Sequence, residues 1–205
     1  MSVVGLDVSD PSGGHYNPPI EILTVCTGNV CRSPMAEALL RRELALQGVE
    51  ATVSSAGLLR PGMAAADEVI ELMDARDLDL RTHQSQPITP ELLAPMDLVI
   101  GMAREHVREV VLMQPALFSR TFTLKELVWR GREVGPRQAD ESFPGWLGRL
   151  APDRRPTEIL GSSDDDDIED PIGRRFAVFK KVAAEIETLT SEFVAMGWSR
   201  DPVPQ

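Results

Sequence analysis

The chain of 205 residues has few cysteines, few basic residues and a single tyrosine. Its two cysteines are too few for a disulfide framework, and free thiols persist in a reducing compartment, so we expect a cytoplasmic protein. Lysine and arginine number 21 against 32 acidic residues, which gives a net charge of −11. That charge argues against nucleic acid and against an anionic membrane surface as partners, because both bind basic faces.

Long apolar runs are also missing, since no stretch approaches the roughly 20 apolar residues that cross a bilayer. Residues 1–19 lack the basic and apolar regions of a signal peptide, and their Gly, Pro, Ser and Asp predict a flexible tail. The length and an apolar fraction of 42% suit one globular domain. We expect this domain over residues 20–197, with a second tail over 198–205.

Strand and helix patterns alternate along the domain. Short apolar runs predict strands at 20–25, 51–54, 96–102 and 121–123. Helical spacing of apolar residues predicts helices at 34–47, 64–76, 124–129, 139–150 and 174–195. A further helix is predicted between the strand at 96–102 and residue 113. This alternation predicts an α/β fold, a three-layer sandwich in which a central four-stranded parallel sheet has helices on both faces. The Gly-, Pro- and Arg-rich segment 131–163 is expected to be an inserted or extended, partly helical part of the domain.

Both cysteines lie in one stretch, VCTGNVCRSP, directly after the first predicted strand. Ser33 and Pro34 predict a helix start, with Ser33 as the N-cap. Ligands bind beyond the carboxyl ends of parallel strands, and a helix N-terminus carries partial positive charge that favours anions. The stretch therefore lies where an anion would bind.

The residue types of the stretch suit a phosphate. Gly28 and Asn29 allow the backbone to curve, so that the amides of residues 27–32 can surround one point. A Cys26 thiolate at the base and an Arg32 fork above it would hold a tetrahedral oxyanion for attack on phosphorus. The alternative, from the residues alone, is a buried structural cysteine with Arg32 at the surface, because a bare Cys-x5-Arg pair is a weak signal.

The whole stretch resembles the loop V-C-x-G-N-x-C-R-S-P of the low-molecular-weight protein tyrosine phosphatases. Other segments that resemble this family are Ser54–Gly57, His83 in RTHQSQPIT, MDLVIGMAREH and Asp170-Pro171. The resemblance covers about residues 20–197 and is loosest across 131–163. It implies hydrolysis of phosphate monoesters, above all protein phosphotyrosine, through a phosphocysteine intermediate, with no metal and no cofactor.

The resemblance also implies a role for each matching residue. Cys26 is the expected nucleophile, Arg32 the group that binds the phosphoryl oxygens, and Asp170 the general acid. The expected phosphate-binding loop is Thr27, Gly28, Asn29, Val30, Cys31 and Arg32. The expected supporting network is Ser33, Asn29, Ser55 and His83, with Asn29 in a left-handed conformation. Phosphorylated protein is the implied partner, and phosphate-like oxyanions are the implied inhibitors.

Several alternatives stay open for single residues. Asp170 alone would be one more solvated charge, and Asp164 to Asp167 are expected to form a solvated loop without a role. His83 is either a network member or a surface histidine, and His106 receives no role. Cys31 is either a small packing residue or a partner that forms a reversible disulfide with Cys26 under oxidation.

The predicted pocket rim departs from the tyrosine-specific pattern. Leu58, Leu59 and Ile172 stand where such members usually carry aromatic residues. A phosphoarginine branch carries Thr at the position of Val30, and an arsenate-reducing branch needs cysteines beyond Cys31. The open alternatives are therefore a phosphatase for phosphoarginine or a small phosphate ester, or a weakly active phosphate-binding or redox-sensing module.

Overall fold

The computed structural model describes residues 19–198, so the predicted tails lie outside the described residues except for Pro19 and Trp198. Within this range the strands are β1 (Ile20–Cys26), β2 (Ala51–Gly57), β3 (Leu98–Gly101) and β4 (Thr121–Thr123). The α-helices are α1 (Arg32–Leu46), α2 (Asp67–Asp74), α3 (Pro90–Leu93), α4 (Arg104–Met113), α5 (Leu124–Val134), α6 (Phe143–Leu150) and α7 (Phe176–Trp198). None of these helices has both the length and the apolar character that a membrane crossing requires.

The four strands form one parallel sheet in the order β2-β1-β3-β4. Alternate residues of β1 face opposite layers, as the period of a strand requires. Ile22 and Cys26 belong to the core formed with α1, α5 and α7, whereas Leu23 and Val25 belong to the core formed with α3 and α4. The predicted three-layer sandwich with a four-stranded parallel sheet is confirmed.

The carboxyl ends of the strands lie level with one another. Cys26 pairs with Gly57, Val25 pairs with Gly101, and Gly101 pairs with Thr123. In the sheet, β2 lies on one side of β1, and β3 lies on the other side. The end of β1 is thus the point where the strand order reverses, and open α/β sheets bind ligands in the crevice at that point.

The predicted helix boundaries need correction at several places. Helix α1 begins at Arg32, so Ser33 lies inside the helix and Cys31 takes the N-cap position without a side-chain cap hydrogen bond. Trp198, predicted as the start of a tail, is the last residue of α7. The sequence pattern also missed the short helix α3 and two 3-10 turns, at 115–120 and 156–159, which are too short to show a helical period.

The segment 131–163 packs against the same core as the rest of the chain. Trp146 of α6 is fully buried and stacks on Phe193 of α7 with ring centroids 5.8 Å apart. Arg154 donates through Nε (2.7 Å) and Nη2 (3.1 Å) to the Glu126 carboxylate, and its guanidinium lies 4.2 Å from the ring centroid of Phe122. This bidentate ion pair over an aromatic ring fixes the segment to α5 and β4.

Gly57 permits the closest approach between the end of β2 and the loop after β1. A Cβ atom at Gly57 would lie 2.9 Å from the Asn29 nitrogen and 2.9 Å from the Thr27 carbonyl oxygen. Both are backbone atoms, so the loop itself must move. We expect Gly57→Ala to lower the free energy of unfolding by about 1–3 kcal/mol, measured by urea denaturation.

Gly148→Ala is the matched control, because a Cβ there meets no atom within 4 Å and the position is helical. It should leave stability unchanged or raise it by about 0.5–1 kcal/mol. A Gly57→Ala protein as stable as the wild type would contradict the close approach.

Candidate active site

The backbone of the loop after β1 turns its carbonyl groups away from the centre of the loop. Groups outside the loop donate to them from three directions. The pairs are Leu58 N to Thr27 O (2.8 Å), Leu59 N to Thr27 O (3.2 Å), His83 Nε2 to Asn29 O (2.7 Å) and Ala66 N to Val30 O (3.0 Å). With the carbonyls held outside, the loop can present its amides inward to an anion.

The Cys26 thiol lies at the base of this loop and is 2% exposed. Its Sγ accepts hydrogen bonds from the Asn29 amide (3.2 Å) and from the Ser33 hydroxyl (3.0 Å). Two donors at this distance can solvate a thiolate in place of water. The contact also explains why Ser33 is not the helix cap: its hydroxyl is directed at the sulfur.

Asn29 fixes the curvature of the loop from behind. Its backbone is left-handed, with φ of +52°. Its Nδ2 donates to the hydroxyls of Ser33 (3.0 Å) and Ser55 (2.8 Å), and its Oδ1 accepts from the Gln86 amide (2.9 Å). The structure thus brings together all four residues predicted for the supporting network, since His83 contacts the Asn29 carbonyl. Gln86 is a further member, which the sequence did not predict.

Arg32 and Asp170 meet at the open side of the loop. The Arg32 side chain donates through Nη2 to Asp170 Oδ2 (2.6 Å) and to Thr27 Oγ1 (3.4 Å), and through Nη1 to the Ile168 carbonyl (3.0 Å). The Asp170 side chain is 47% exposed, and its Oδ1 accepts from the Ile172 amide (3.1 Å). A buried cation and a half-exposed carboxyl group therefore stand together beside the loop that holds the thiol.

Glu105 and His106, which follow β3, also reach the loop, although no role was predicted for them from the sequence. His106 is fully buried, with Nε2 3.0 Å from Thr27 Oγ1 and 3.2 Å from Glu105 Oε1. Burial, with the charges of Arg32 and Arg108, lowers the pKa of His106 to about 3, so its ring is neutral at neutral pH. The sequence held one indication of this position. Both residues follow a strand next to β1, and the carboxyl ends of neighbouring parallel strands lie at one edge of the sheet.

The predicted rim residues differ in exposure. Leu59 and Ile172 are 52% and 53% exposed, so both present aliphatic side chains to solvent. Leu58 is half-buried and packs against the core that contains Leu23 and Val25. The exposed aliphatic surface near the loop is therefore that of Leu59 and Ile172.

The acidic run before Asp170 is a solvated loop only in part, which corrects the expectation from the sequence. Asp164 and Asp165 are exposed, but Asp166 is buried and Asp167 is half-buried. Both of these carboxylates accept hydrogen bonds from groups of Arg104. Local composition could not reveal this difference, because the partner lies about 60 residues earlier in the chain.

Cys31 is a buried free thiol at the start of α1, and it packs within the larger core. Burial raises the pKa of Cys31 to about 12, and the neighbouring Cys26 and Asp170 act in the same direction. The two cysteines of the stretch therefore differ: Cys26 faces hydrogen-bond donors, whereas Cys31 is held as a neutral thiol.

This difference predicts slow alkylation of Cys31. A thiol with a pKa of about 12 carries almost no thiolate at pH 8, and the thiolate is the reactive form. In folded Cys26→Ser protein, iodoacetamide at pH 8 should modify Cys31 at least about tenfold more slowly than in the same protein unfolded by guanidinium. Peptide mass spectrometry measures both rates, and equal rates would show that Cys31 is not protected.

Comparison with known proteins gives a consistent family. The model described as low molecular weight phosphotyrosine protein phosphatase matches residues 21–134, from β1 through α5. A protein-arginine-phosphatase of Bacillus subtilis is 37% identical over 110 residues, which are 53% of this chain and 73% of that protein. The low molecular weight protein-tyrosine-phosphatase Ptp of Acinetobacter johnsonii is 34% identical over 124 residues, 60% of this chain and 83% of that protein.

Solved structures agree over a longer part of the chain. A low molecular weight protein tyrosine phosphatase from T. tengcongensis superposes with a TM-score of 0.65 and 28% identity, covering 85% of this chain and 97% of that one. The YwlE arginine phosphatase from Geobacillus stearothermophilus gives a TM-score of 0.62 and 29% identity, covering 86% and 91%. Because the family match spans more than half of the chain and includes the whole loop around Cys26, this chain belongs to the low molecular weight phosphotyrosine protein phosphatases and is a cysteine-dependent hydrolase.

Proposed function

We propose that this enzyme hydrolyses phosphotyrosine in proteins, with Cys26 as nucleophile, Arg32 as phosphoryl-binding group and Asp170 as general acid. One observation carries the assignment: Arg32 of α1 pairs with Asp170 of the segment before α7 and also reaches Thr27, which directly follows Cys26 of β1, so the three residues meet at the carboxyl edge of the sheet. Family membership makes the chemistry a phosphatase reaction, and the convergence supports the role of each residue in this chain.

In the first step the Cys26 sulfur attacks phosphorus, so that the S–P bond forms while the bond to the tyrosine oxygen breaks. The inward amides of the loop and the Arg32 guanidinium stabilise the charge on the phosphoryl oxygens. Asp170, in its protonated form, gives its proton to the leaving oxygen. The arriving phosphoryl group replaces the Asp170 carboxylate as the partner of Arg32, which leaves Asp170 free to take up a proton from solvent and to face the leaving group.

In the second step the phosphocysteine is hydrolysed. Asp170, now a carboxylate, takes a proton from a water molecule whose oxygen attacks phosphorus. The S–P bond breaks, the electron pair returns to Cys26, and inorganic phosphate leaves. The Ser33 hydroxyl and the Asn29 amide, which already donate to Sγ, stabilise the sulfur anion that departs.

Hydrolysis of p-nitrophenyl phosphate tests this assignment. Wild type should show turnover that vanadate inhibits, and Cys26→Ser should reduce it by at least about a thousandfold because the covalent step is lost. Asp170→Asn should lose less turnover than Cys26→Ser on this substrate, since p-nitrophenolate is a good leaving group that needs little protonation.

A chelator provides the control for cofactor dependence. Positive charge in the proposed mechanism comes from Arg32 and the loop amides, so EDTA should leave the rate unchanged. Turnover equal in wild type and Cys26→Ser would refute the enzyme assignment, and loss of activity with EDTA would contradict the role given to Arg32.

The exposed rim of the pocket weakens the expected preference of the enzyme for the aromatic ring of phosphotyrosine. Leu59 and Ile172 offer aliphatic contact, whereas aromatic pairs add about 0.5–1.5 kcal/mol beyond the area they bury. Phosphotyrosine remains the first candidate through the family, and the rim supports tolerance of other phosphorylated groups.

Phosphoarginine is the second candidate, and Glu105 is the observation that favours it. Its side chain is 49% exposed, and its Oε1 lies 3.1 Å from the hydroxyl of Thr27 on the phosphate loop. A guanidinium leaving group would pair with this carboxylate, whereas a phenolate would not. The similarity to a protein-arginine-phosphatase supports this candidate, while Val30, where the phosphoarginine branch carries Thr, counts against it.

Glu105→Gln separates the two candidates. A charge-assisted hydrogen bond contributes about 1.5–3 kcal/mol, so kcat/KM for a phosphoarginine peptide should fall at least about tenfold. The value for a phosphotyrosine peptide should change by less than about twofold, because the amide keeps the contact with Thr27. Glu71→Gln, on the exposed side of α2, is the control for the change in net charge. Equal losses on both peptides would mean that Glu105 acts on the loop alone and would remove this candidate.

We also propose a cytoplasmic setting, supported by the two free cysteines, because free thiols persist in a reducing compartment. The net charge of −11 counts against nucleic acid and an anionic membrane as partners, and family membership supports phosphorylated protein as the substrate. Phosphate-like oxyanions should inhibit by occupying the loop. Reversible disulfide formation between Cys26 and Cys31 under peroxide stays a prediction, and it requires the buried Cys31 thiol to become accessible.

A further inference from the structure

Asp166 anchors the acidic run to the rest of the protein. It is 9% exposed, and its Oδ2 accepts from Arg104 Nε (2.7 Å) and lies 2.6 Å from Arg104 Nη2. Its Oδ1 accepts from the indole of Trp129 at 3.3 Å. Both carboxylate oxygens are thus engaged, one by α4 and one by α5. A planar guanidinium on a carboxylate fixes orientation as well as distance.

Asp167 anchors the run a second time, at the N-terminus of α4. Its Oδ1 accepts from the Arg104 amide (2.7 Å), and its Oδ2 accepts from the Ser163 amide (3.0 Å). The first amides of a helix have no partner inside the helix and carry partial positive charge, so a carboxylate is favoured there. Asp167 therefore caps α4 from a segment more than 60 residues away in sequence.

The residue that follows connects this anchor to the phosphate site. The Ile168 amide donates to the Met102 carbonyl at the end of β3 (2.9 Å), and its carbonyl accepts from Arg32 Nη1 (3.0 Å). Asp170 comes two residues later. The chain from 166 to 170 is consequently fixed on α4, on β3 and on Arg32 before it reaches the carboxyl group that acts as acid.

We propose that Asp166 and Asp167 form a clamp on Arg104 that positions Asp170 against the leaving group and holds the Ile168 carbonyl against Arg32. Both aspartates are positioning residues, since neither touches the phosphate loop. The inference rests on the proposed role of Asp170 as general acid. Loosening the clamp widens the range of positions that Asp170 adopts, and proton transfer is sensitive to distance. Substrates whose leaving oxygen needs a proton should suffer most.

The sequence supplies a matched control. Asp166→Asn/Asp167→Asn removes two charges from the run and replaces carboxylates that accept on both oxygens with amides that have one oxygen each. Asp164→Asn/Asp165→Asn removes the same two charges from the same run at exposed positions. Each double variant is compared with wild type and with Asp170→Asn by kcat/KM for p-nitrophenyl phosphate and for phenyl phosphate. Phenyl phosphate depends far more than p-nitrophenyl phosphate on protonation of its leaving group.

In the clamp variant, kcat/KM should fall about tenfold or more for phenyl phosphate and less than about threefold for p-nitrophenyl phosphate. Asp170→Asn should show the same order of losses between the two substrates. The control variant should stay within about twofold of wild type on both substrates. A merely structural role would lower the melting temperature, or both rates together, without changing the ratio between the substrates. If the double clamp variant does not fold, Asp167→Asn alone is measured in the same way.

Three results would overturn the proposal: equal losses of the clamp variant on both substrates, no loss in a folded clamp variant, or equal behaviour of clamp and control variants. Asp170→Asn distinguishes these from a failure of the proposed function. If Asp170→Asn itself loses equally on both substrates, then Asp170 is not the acid, and the clamp proposal fails together with that assignment.

Discussion

The buried guanidinium of Arg32 is the group on which the rest of the site depends. It is 4% exposed, and a charge removed from water needs hydrogen-bond and charge partners to be stable. Those partners come from the phosphate loop itself and from two residues that lie 136 and 138 positions later in the chain. One side chain thus joins the loop after the first strand to the segment that precedes the last helix.

The remaining contacts keep this connection in one geometry. On the inner side, Asn29 fixes the curvature of the loop through the side chains of Ser33 and Ser55. On the outer side, the hydrogen bond between Ile168 and Met102 holds the later segment on the end of β3. Both halves are therefore organised by protein groups, so that a phosphoryl group meets donors that need little reorganisation.

The sequence predicted the parts of this arrangement that depend on local pattern. Alternating apolar runs predicted the sheet, and the stretch from Cys26 to Arg32 predicted an anion site at the end of its first strand. The resemblance to a family placed Asn29, Ser55 and His83 behind the loop, and the structure brings them within hydrogen-bond distance.

The parts that the sequence did not predict are those made by tertiary contact. Asp166 and Asp167 stand in a run of aspartates whose members look alike, and only the position of Arg104 distinguishes them. His106 looks like any helical histidine until β3 is placed beside β1. The start of α1 was predicted two residues too late, because the preference of serine for helix caps yields here to its hydrogen bond with sulfur.

The long sequence separation within the site has a consequence for how the enzyme becomes active during synthesis. A ribosome releases the chain from its N-terminus, so the thiol of Cys26 and its loop emerge well before Asp170 exists. Contacts between residues more than 130 positions apart form late, after the loop-closure entropy has been overcome. With the proposed roles, catalytic competence appears only when the sheet and the final segment have docked, and a nascent or partly unfolded chain holds the proposed nucleophile without its proposed acid.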